Sequence, residues 1–405
     1  MKDRHGVLAL LILLFAILYL DRVAISVAGP RMQADLGIDP VGWGWVTGIF
    51  TLAYCIFEIP SGMLGDRIGP RRVLARIVLW WSAFTALTGA VSNFYLLLLV
   101  RFCFGAGEAG AFPNSSVVIA RWFPAEQRAT ISGVTLMASQ IGGALTPIIV
   151  LPIQMRYGWR ASFYLFAGLG IAWAVVWYTW FRDSPRDAPA PPAATPHDHR
   201  FPWRVAFRST TVWATMITVF CYAYAYNFFQ TWLHTFLVKG RGVTERGLFL
   251  SVLPYVAAVG TTLTGGIVSD ALVKRMGVAR GRRALGLASL FFAGMCALGA
   301  MFTRDHLLTV ILLALVYAGI TFQQAGVFGL VLDIGRKHAG AISGLMNTAA
   351  QAGGLTGSVL YGYIVNRFGS YDAPFVPMAG LLFLAALLWL KIDASQEITA
   401  EPAVR

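Results

Sequence analysis

Four ionisable residues stand inside apolar stretches that are long enough to cross a membrane. Asp21 and Arg22 interrupt the first stretch, and Arg101 and Glu108 interrupt a later one. A charge at the centre of a bilayer costs roughly 2.5 to 3.5 kcal/mol on insertion scales, so each of these residues is a candidate functional group. A carboxyl group there can bind and release a proton, and an arginine there can hold an anion.

The depths of Asp21 and Arg101 predict an ion pair between them. Asp21 stands about 14 residues into its stretch, roughly 20 Å at a helical rise of about 1.5 Å per residue. Arg101 stands about 6 residues from the opposite end of its own stretch, which gives a similar depth. Pairing neutralises two charges that neither helix could bury alone, although such a bridge can also be purely structural.

Glu108 and Arg22 are predicted to have different roles. Glu108 follows Arg101 by seven residues, two helical turns further on the same face, and has no cation nearby in the sequence. Because burial disfavours the ionised form of a carboxyl group, Glu108 is predicted to carry a proton, as is Asp21. Arg22 keeps its charge and offers a planar fork that matches a carboxylate, so it is the predicted anchor for an anionic substrate.

Neutral polar and aromatic residues extend this group along other apolar stretches. Uncharged donors and acceptors suit the hydroxyls of an organic acid, although hydrogen bonding between helices explains any single one equally well. Glu58, beside Pro60, is interpreted as a gating or helix-capping carboxylate. The neutral candidates are Tyr54, Gln140, Tyr222, Tyr226, Asn227, Gln323, Gln324, Asn347 and Gln351.

The elements that must position these residues are membrane-spanning helices. Of the 405 residues, 57% are hydrophobic and only 13% are charged. A spanning helix needs roughly 20 mostly apolar residues, and about twelve such segments follow one another. The first carries Asp21 and Arg22 and lacks a small-residue cleavage site, so it is interpreted as a retained helix. The predicted segments are 7–29, 43–64, 73–92, 95–119, 129–152, 161–181, 211–237, 247–268, 284–303, 307–331, 341–365 and 375–392.

The distribution of positive charge predicts the orientation. The net charge is +13, and about 22 of the 32 Lys and Arg residues fall on one set of alternate loops. Cytoplasmic loops carry such an excess, so both termini are predicted to be cytoplasmic in a bacterial inner membrane. Attraction to acidic lipid headgroups accounts for this charge, and no nucleic-acid partner is predicted.

No cofactor, metal or enzymatic function is predicted. The four cysteines lie in apolar segments without paired or metal-ligand spacing, and the six histidines are scattered or share a linker. The run 105–110 matches the dinucleotide fingerprint GxGxxG formally, but that motif must join a strand to a helix in a soluble βαβ unit. A nucleophile constellation is also missing from the sequence.

An internal repeat predicts two similar six-helix bundles. Gln140 and Gln351 each begin a Gln-X-Gly-Gly run, and each follows a Ser-Gly pair at nearly the same spacing. Arg156 and Arg367 keep the same offset, as duplication requires. The Pro- and Ala-rich connection has the composition of a mobile linker. The predicted organisation is therefore an N-terminal bundle at 1–183, a cytoplasmic linker at 184–209 and a C-terminal bundle at 210–405.

The loop at 62–72 resembles the signature loop of the major facilitator superfamily. It reads GMLGDRIGPRR, and a degenerate copy of it begins at Gly266 between the eighth and ninth segments. The resemblance implies an all-α membrane protein of the major facilitator fold with two pseudo-symmetric bundles. It also implies a latch at the inner gate, in which Asp66 accepts from a helix N-terminus and pairs with a neighbouring arginine. The predicted gating residues are Gly62, Asp66, Arg67, Arg71 and Asp270.

Nearly the whole chain is similar to the anion:cation symporter family of that superfamily. This family includes bacterial galactonate, hexuronate, glucarate and tartrate transporters and animal sialin and vesicular glutamate carriers. The motifs that carry the resemblance lie at 19–22, 53–54, 59–60, 101–113, 121–128 and 230–233.

This resemblance implies roles for individual residues. Arg22 and Tyr54 would contact a substrate carboxylate, and Asn347 and Gln140 would contact hydroxyls. Asp21 and Glu108 would couple transport to protons, with Arg101 as the partner of Asp21. The chain departs from the family pattern at Glu58, where glutamine is common, and at His234, where proline often follows Trp-Leu.

The sequence therefore predicts proton-coupled uptake of a small organic anion by alternating access, in a protein that functions as a monomer. Two alternatives stay open. Export of hydrophobic drugs uses the same fold and is favoured by 13 Trp and 27 Phe residues, but Arg22 would repel a cationic drug. A membrane-bound enzyme or nutrient sensor is the other alternative.

Overall fold

The computed structural model describes residues 2–183, 207–244, 247–335 and 339–395, and these residues contain helices and no strand. The α-helices are α1 Lys2–Asp35, α2 Pro40–Ile68, α3 Pro70–Ala90, α4 Phe94–Glu108, α5 Ala111–Trp122, α6 Ala125–Tyr157, α7 Trp159–Trp180, α8 Thr210–Thr231, α9 Leu233–Thr235, α10 Val252–Met276, α11 Val278–Phe302, α12 His306–Gly335, α13 Ala339–Phe368 and α14 Phe375–Leu388. A π-helical turn at Phe236–Gly240 follows α9. A 3-10 turn at Gly247–Ser251 precedes α10, and another at Trp389–Lys391 follows α14.

Within the described part of the chain, nine helical stretches are long and apolar enough to cross a membrane, judged by length and composition. They coincide with nine of the predicted segments. The predicted seventh, eleventh and twelfth segments are occupied by α8, α13 and α14. The nine stretches are Arg4–Asp35, Pro40–Glu58, Pro70–Ala90, Phe94–Trp122, Ile131–Tyr157, Trp159–Trp180, Gly247–Met276, Val278–Phe302 and His306–Val331.

The fourth predicted segment is two helices rather than one. The α4 helix ends at Glu108, and α5 begins at Ala111 after a short turn. Pro113 has no N–H group, so it cannot bond the carbonyl four residues earlier, that of Ala109. The break places Glu108 at the end of a helix, where its side chain faces a neighbouring element.

Both halves use the same close helix packing, as the sequence repeat predicts. A Cβ atom at Gly142 of α6 would collide with the backbone oxygen of Ala16 on α1. A Cβ atom at Gly353 of α13 would collide with the backbone oxygen of Phe220 on α8. Small residues allow such approaches in membranes, where tight packing drives helix association. The equivalent glycines of the two repeats therefore perform the same structural task.

The described chain divides into two compact units. The first contains the described parts of Met1–Ala190, Phe228–Val256 and Ser358–Tyr371, and the second contains those of Pro191–Asn227, Ala257–Gly357 and Asp372–Arg405. The predicted bundles at 1–183 and 210–405, with a linker at 184–209, stay a prediction. Most of that linker, residues 184–206, lies outside the described residues.

The interior of the first unit contains stacked aromatic rings on α7 and at its end. The rings of Trp173 and Trp177 stack with centroids 5.0 Å apart, and Trp177 stacks on Phe181 at 3.8 Å. The indole N–H of Trp173 donates to the carbonyl of Leu10 at 2.9 Å, so α7 is tied to α1. This packing supports the half of α1 that precedes Asp21.

Candidate functional site

The four ionisable residues predicted from sequence are buried together in the first unit. Asp21 and Arg22 lie on α1, and Arg101 and Glu108 lie on α4. Glu108 is fully buried, Asp21 is 3% exposed and Arg101 is 4% exposed, while the side chain of Arg22 is 18% exposed. When all four are ionised, the group contains two positive and two negative charges. We call these residues the charged quartet.

The ion pair in the charged quartet joins Arg22 to Glu108. The Arg22 Nε atom donates to Glu108 Oε1. The sequence predicted a pair between Asp21 and Arg101, and Glu108 has no cation nearby along the chain. Neighbouring residues on a helix point in directions about 100° apart, so Asp21 and Arg22 cannot both face the end of α4. The cation that reaches Glu108 therefore comes from α1.

Asp21 and Arg101 have different surroundings from those predicted. Among the described residues, neither carboxylate oxygen of Asp21 has a hydrogen-bond partner, and the Thr85 hydroxyl lies beside it. The guanidinium carbon of Arg101 lies 4.8 Å from the ring centroids of both Phe50 and Phe104. Asp21 stays within electrostatic range of Arg101 without forming an ion pair with it. The contacts that the structure shows for Arg101 are thus with Phe50 and Phe104 rather than with the predicted carboxylate.

Aromatic rings surround the Arg22 guanidinium. Its central carbon lies 4.8 Å from the ring centroid of Tyr54, 5.4 Å from Phe50, 5.6 Å from Tyr19 and 6.0 Å from Phe112. Rings at these distances attract a cation electrostatically and exclude water. The rings therefore pack around Arg22 and hold it in place.

The Arg22–Glu108 ion pair is only half satisfied. Among the described residues, Arg22 Nη2 and Glu108 Oε2 are buried atoms without a hydrogen-bond partner. Buried polar groups are normally paired, so Glu108 Oε2 is suited to carry a proton and Arg22 Nη2 is suited to donate to a ligand. A proton on Glu108 would remove its charge and weaken its hold on Arg22. An edge of the guanidinium would then be free to bind an anion through two parallel hydrogen bonds.

The other predicted binding residues divide between the two units. Tyr54 on α2 is buried and contacts Arg22, and Gln140 is buried on α6, the helix that packs on α1. In the second unit, Tyr222 is buried on α8, and the Tyr226 ring lies 5.2 Å from that of Tyr317. Asn347 of the same unit is half-buried on α13. The structure thus brings Tyr54 to the charged quartet and places the other four candidates on the helices predicted to carry them.

The predicted gating loop at 62–72 is not a separate loop, because it consists of the end of α2, Gly69 and the start of α3. Arg71 donates from Nε and Nη2 to the carbonyl of Tyr178 at 3.0 and 2.6 Å, and its N–H donates to Asp183 Oδ1 at 2.8 Å. Gly62 packs near Pro113, and Arg67 is exposed. These hydrogen bonds tie the start of α3 to the end of α7 and to the residues that follow it. The side chain of Asp66 lies outside the described part, so its latch stays a prediction.

Asp270 is the counterpart of this loop in the second unit. Its carboxylate is 74% exposed and lies 4.0 Å from Arg282 Nη1. Arg282 Nη1 also donates to Ser269 Oγ at 2.7 Å. The contact with Asp270 is therefore a weak surface interaction, and the stronger bond of Arg282 is to the serine.

Phe50 and Phe112 were missed by the sequence analysis. Phe50 contacts both Arg22 and Arg101, and Phe112 contacts Arg22. Phe50 stands four residues before Tyr54, one turn away on the same helical face. That spacing was the signal that could have found Phe50. Phe112 follows the break after α4, which the sequence analysis did not predict.

Comparison with known proteins identifies the family. Residues 11–358 match the Major Facilitator Superfamily. This chain belongs to that superfamily. It is 34% identical to a probable sulfoacetate transporter, SauU, of Cupriavidus necator over 97% of this chain and 94% of the relative. It is 31% identical to a hexuronate transporter of Bacillus subtilis over 95% of this chain and 94% of the relative.

Other similarities agree with this family. The chain is 28% identical to a probable galactarate/D-glucarate transporter, GudP, of Bacillus subtilis, over 95% of this chain and 90% of the relative. The predicted resemblance to this group of transporters is confirmed. The protein is a multi-pass membrane transporter of the superfamily and not an enzyme.

The fold is that of solved members of the superfamily. A bacterial homologue of the human lysosomal transporter Spinster, solved in an inward-facing and unoccupied conformation, has a TM-score of 0.79 at 20% identity and covers 96% of this chain and 98% of the other. The nucleoside transporter NupG has a TM-score of 0.75 at 12% identity, covering 95% and 99%. The predicted all-α major facilitator fold is confirmed.

Proposed function

We propose that this transporter takes up a small organic anion together with protons by alternating access. The observation that supports this most strongly is the buried Arg22, which is held by aromatic rings and has one donor atom without a partner. A fixed, buried cation with a spare donor is suited to an anion and unsuited to a cationic or purely apolar cargo. Export of hydrophobic cations is therefore the less favoured activity.

The proposed cargo carries a compact anionic group, such as a carboxylate or a sulfonate. The relatives named for sulfoacetate, hexuronate and galactarate/D-glucarate support this class, because all three compounds are small and carry such a group. Arg22 would bind the anionic group through two parallel hydrogen bonds, and Tyr54 would close one side of it. Gln140 of the first unit would bind further polar atoms of the cargo. Tyr222, Tyr226 and Asn347 of the second unit stay predicted binding residues.

The proposed coupling rests on competition for Arg22. While Glu108 is ionised, its carboxylate occupies one edge of the guanidinium. Protonation of Glu108 removes this competitor, so the anion and the proton favour each other's binding. Asp21 is the second proposed proton carrier, because its buried oxygens have no hydrogen-bond partner in the described chain. Release of the protons on the other side would restore the Arg22–Glu108 pair and expel the anion.

The proposed site of action is a bacterial inner membrane, with both termini in the cytoplasm and a monomer as the working unit. The excess of Lys and Arg on one set of loops supports this orientation. In this orientation the Asp35 end of α1 faces the outside, and the charged quartet lies between the two surfaces. Protons and anions would then enter from the Asp35 side.

Proton movement in proteoliposomes tests the proposal. The purified protein would be reconstituted with a pH-sensitive dye inside, and sulfoacetate, hexuronates, galactarate, glucarate and aromatic carboxylates would be added outside one at a time. Acidification of the lumen with at least one anion is expected, and Glu108→Gln should abolish it. Acidification by none of them, from protein that is folded and inserted, would overturn the proposal. Drug-driven proton release would favour export instead.

A further inference from the structure

His234 lies at the centre of a buried hydrogen-bonded bridge in the first unit. Its Nδ1 atom lies 3.0 Å from Ser26 Oγ on α1, and its Nε2 atom lies 2.9 Å from Ser251 Oγ. All three side chains are fully buried. An imidazole has one polar nitrogen on each side of the ring, so it can join two hydroxyl groups that face each other. We call this arrangement the serine–histidine bridge.

A second set of hydrogen bonds lies further along the same helices. Gln33 Nε2 donates to Thr235 Oγ1 at 2.9 Å, and Lys239 Nζ donates to Gln33 Oε1 at 2.9 Å. Trp43 on α2 donates from its indole nitrogen to the carbonyl of Thr231 at 3.3 Å. The segment from Thr231 to Lys239 is therefore bound to α1 and α2 by side-chain hydrogen bonds.

One face of α1 carries both the substrate anchor and these contacts. Arg22, Ser26, Gly29 and Gln33 are spaced by four, three and four residues, so they lie on one face of the helix. A Cβ atom at Gly29 would lie 3.2 Å from Thr235 Oγ1, which shows how closely α1 approaches this segment. Ser26 is one turn beyond Arg22, roughly 6 Å along the axis.

The segment that contacts this face is irregularly wound. The α8 helix ends at Thr231, α9 lasts three residues, and Phe236–Gly240 is a π-helical turn. Irregular turns of this kind inside helices often occur at functional positions. The Trp232 indole donates to the carbonyl of Ser358 at 3.0 Å, so the segment is also tied to α13.

We propose that His234 is a positioning residue that holds the outer gate of the transporter closed through the serine–histidine bridge. The gate consists of the described residues 228–244 and 247–256, packed on α1 and α2 at the Asp35 end. The inference rests on the proposed alternating access, in which this end must open to admit the anion. Opening breaks the bridge, and closing restores it next to Arg22. The hydrogen bonds of His234 thus set the balance between the open and closed forms.

Distances between spin labels test the proposal without any substrate. The four native cysteines would be replaced, and labels would be attached at Tyr95→Cys and Thr244→Cys, two exposed positions in the first unit. The protein in lipid nanodiscs should show one main short distance. His234→Ala should increase the long-distance population roughly tenfold, because each lost hydrogen bond shifts the ratio about 2- to 10-fold. An unchanged distribution in folded His234→Ala protein would overturn the proposal.

Single hydroxyl deletions separate a bridge from general loosening. Ser26→Ala and Ser251→Ala each remove one bond and should shift the distribution less than His234→Ala does. Ser26→Ala should add nothing in a His234→Ala background, since the bond is already lost. If the shifts of the two single variants added fully in the double variant, Ser26 and His234 would act separately, and this would overturn the bridge. If His234→Ala does not fold, the shifts of Ser26→Ala and Ser251→Ala test the serine–histidine bridge by themselves.

A matched control lies in the second unit. Thr261 and Thr321 share a side-chain hydrogen bond of 2.7 Å, and Thr321 is fully buried. Thr321→Val removes this bond and should leave the label distances unchanged. An equal shift in this variant would assign the effect to general destabilisation and overturn the gate. Failure of the dye assay, with the distance shifts present, would reject the proposed cargo and leave the gate in place.

Discussion

The Arg22 guanidinium donates to Glu108 through Nε, while its Nη2 atom has no hydrogen-bond partner among the described residues. The carboxylate and an incoming anion would therefore bind neighbouring edges of one cation. Breaking a buried pair costs more than an exposed one, because the remaining charge stays out of water. In the proposed mechanism, the anion would replace Glu108 only if Glu108 were protonated at the same time.

Glu108→Gln should separate proton coupling from substrate exchange. The amide cannot carry the proton, but it leaves Arg22 free, so proton-driven accumulation should fall to the background. Exchange of labelled for unlabelled anion across the membrane should persist at a comparable rate. Asp35→Asn, at an exposed acid of the same first unit, serves as the control and should keep accumulation. Uphill uptake at the normal level in Glu108→Gln would remove Glu108 from the mechanism.

Arg22→Ala should destabilise the protein, and Glu108→Gln should partly restore its stability. Loss of one member of a buried ion pair costs about 3 to 5 kcal/mol, because the other charge stays buried. The double variant has no such charge, so its melting temperature should lie above that of Arg22→Ala and its anion binding should still be absent. Thermal unfolding in one detergent checks both. Equal melting temperatures for the single and double variants would contradict the pairing.

Arg22→Lys should keep the charge and lose most of the anion affinity. An ammonium group cannot make two parallel hydrogen bonds, and it stacks less well on aromatic rings. Binding should weaken by roughly 10-fold or more, as measured by calorimetry with the anion that drives acidification. Normal affinity in the lysine variant would mean that charge alone holds the anion.

Phe50→Leu should weaken transport although the residue carries no polar group. Its ring lies between Arg22 and Arg101, and cation–π contacts are worth about 0.5 to 2 kcal/mol. Uptake should fall several-fold, mainly through a higher KM. Phe84→Leu, which changes a ring packed on Trp80, provides the control and should leave KM unchanged. A loss of the same size in both variants would indicate only poorer packing.

Gly142→Ala and Gly353→Ala should both reduce stability, because each new methyl group meets the backbone of a neighbouring helix. Gly168→Ala and Gly344→Ala are matched controls, since a Cβ atom at either position has no neighbour within 4 Å. The controls should be neutral or slightly stabilising, as alanine favours a helix by about 1 kcal/mol over glycine. Melting temperatures would check all four. A stable Gly142→Ala variant would contradict the close contact of α6 with α1.

The order of the helices was predictable from sequence because a spanning segment is a local property of length and apolarity. The nine stretches that meet both conditions begin and end near the predicted positions. The sequence repeat showed that Gly142 and Gly353 are equivalent positions, and the structure adds the close contact that each of them makes. The break after Glu108 was missed, although Pro113 and Gly110 were visible, because proline is also tolerated inside membrane helices.

The partners within the charged quartet were predicted less well than its members. Sequence spacing gives the depth of a residue in the membrane, and it placed Asp21 and Arg101 at a similar level. It does not give the rotation of one helix relative to another, which decides whether Asp21 or Arg22 faces α4. The aromatic surroundings of Arg22 come from α1, α2 and α5 and depend on the same rotations.

The equal numbers of acids and bases in the charged quartet have an electrical consequence. After the anion and protons leave, the four ionised side chains sum to zero, so the returning empty carrier moves no charge from this group. Each elementary charge moved through the membrane potential is worth about 2.3 kcal/mol per 100 mV. The membrane potential would therefore act only on the step in which the loaded carrier moves its cargo across the membrane. The effect would be proportional to the number of protons carried minus the number of negative charges on the anion.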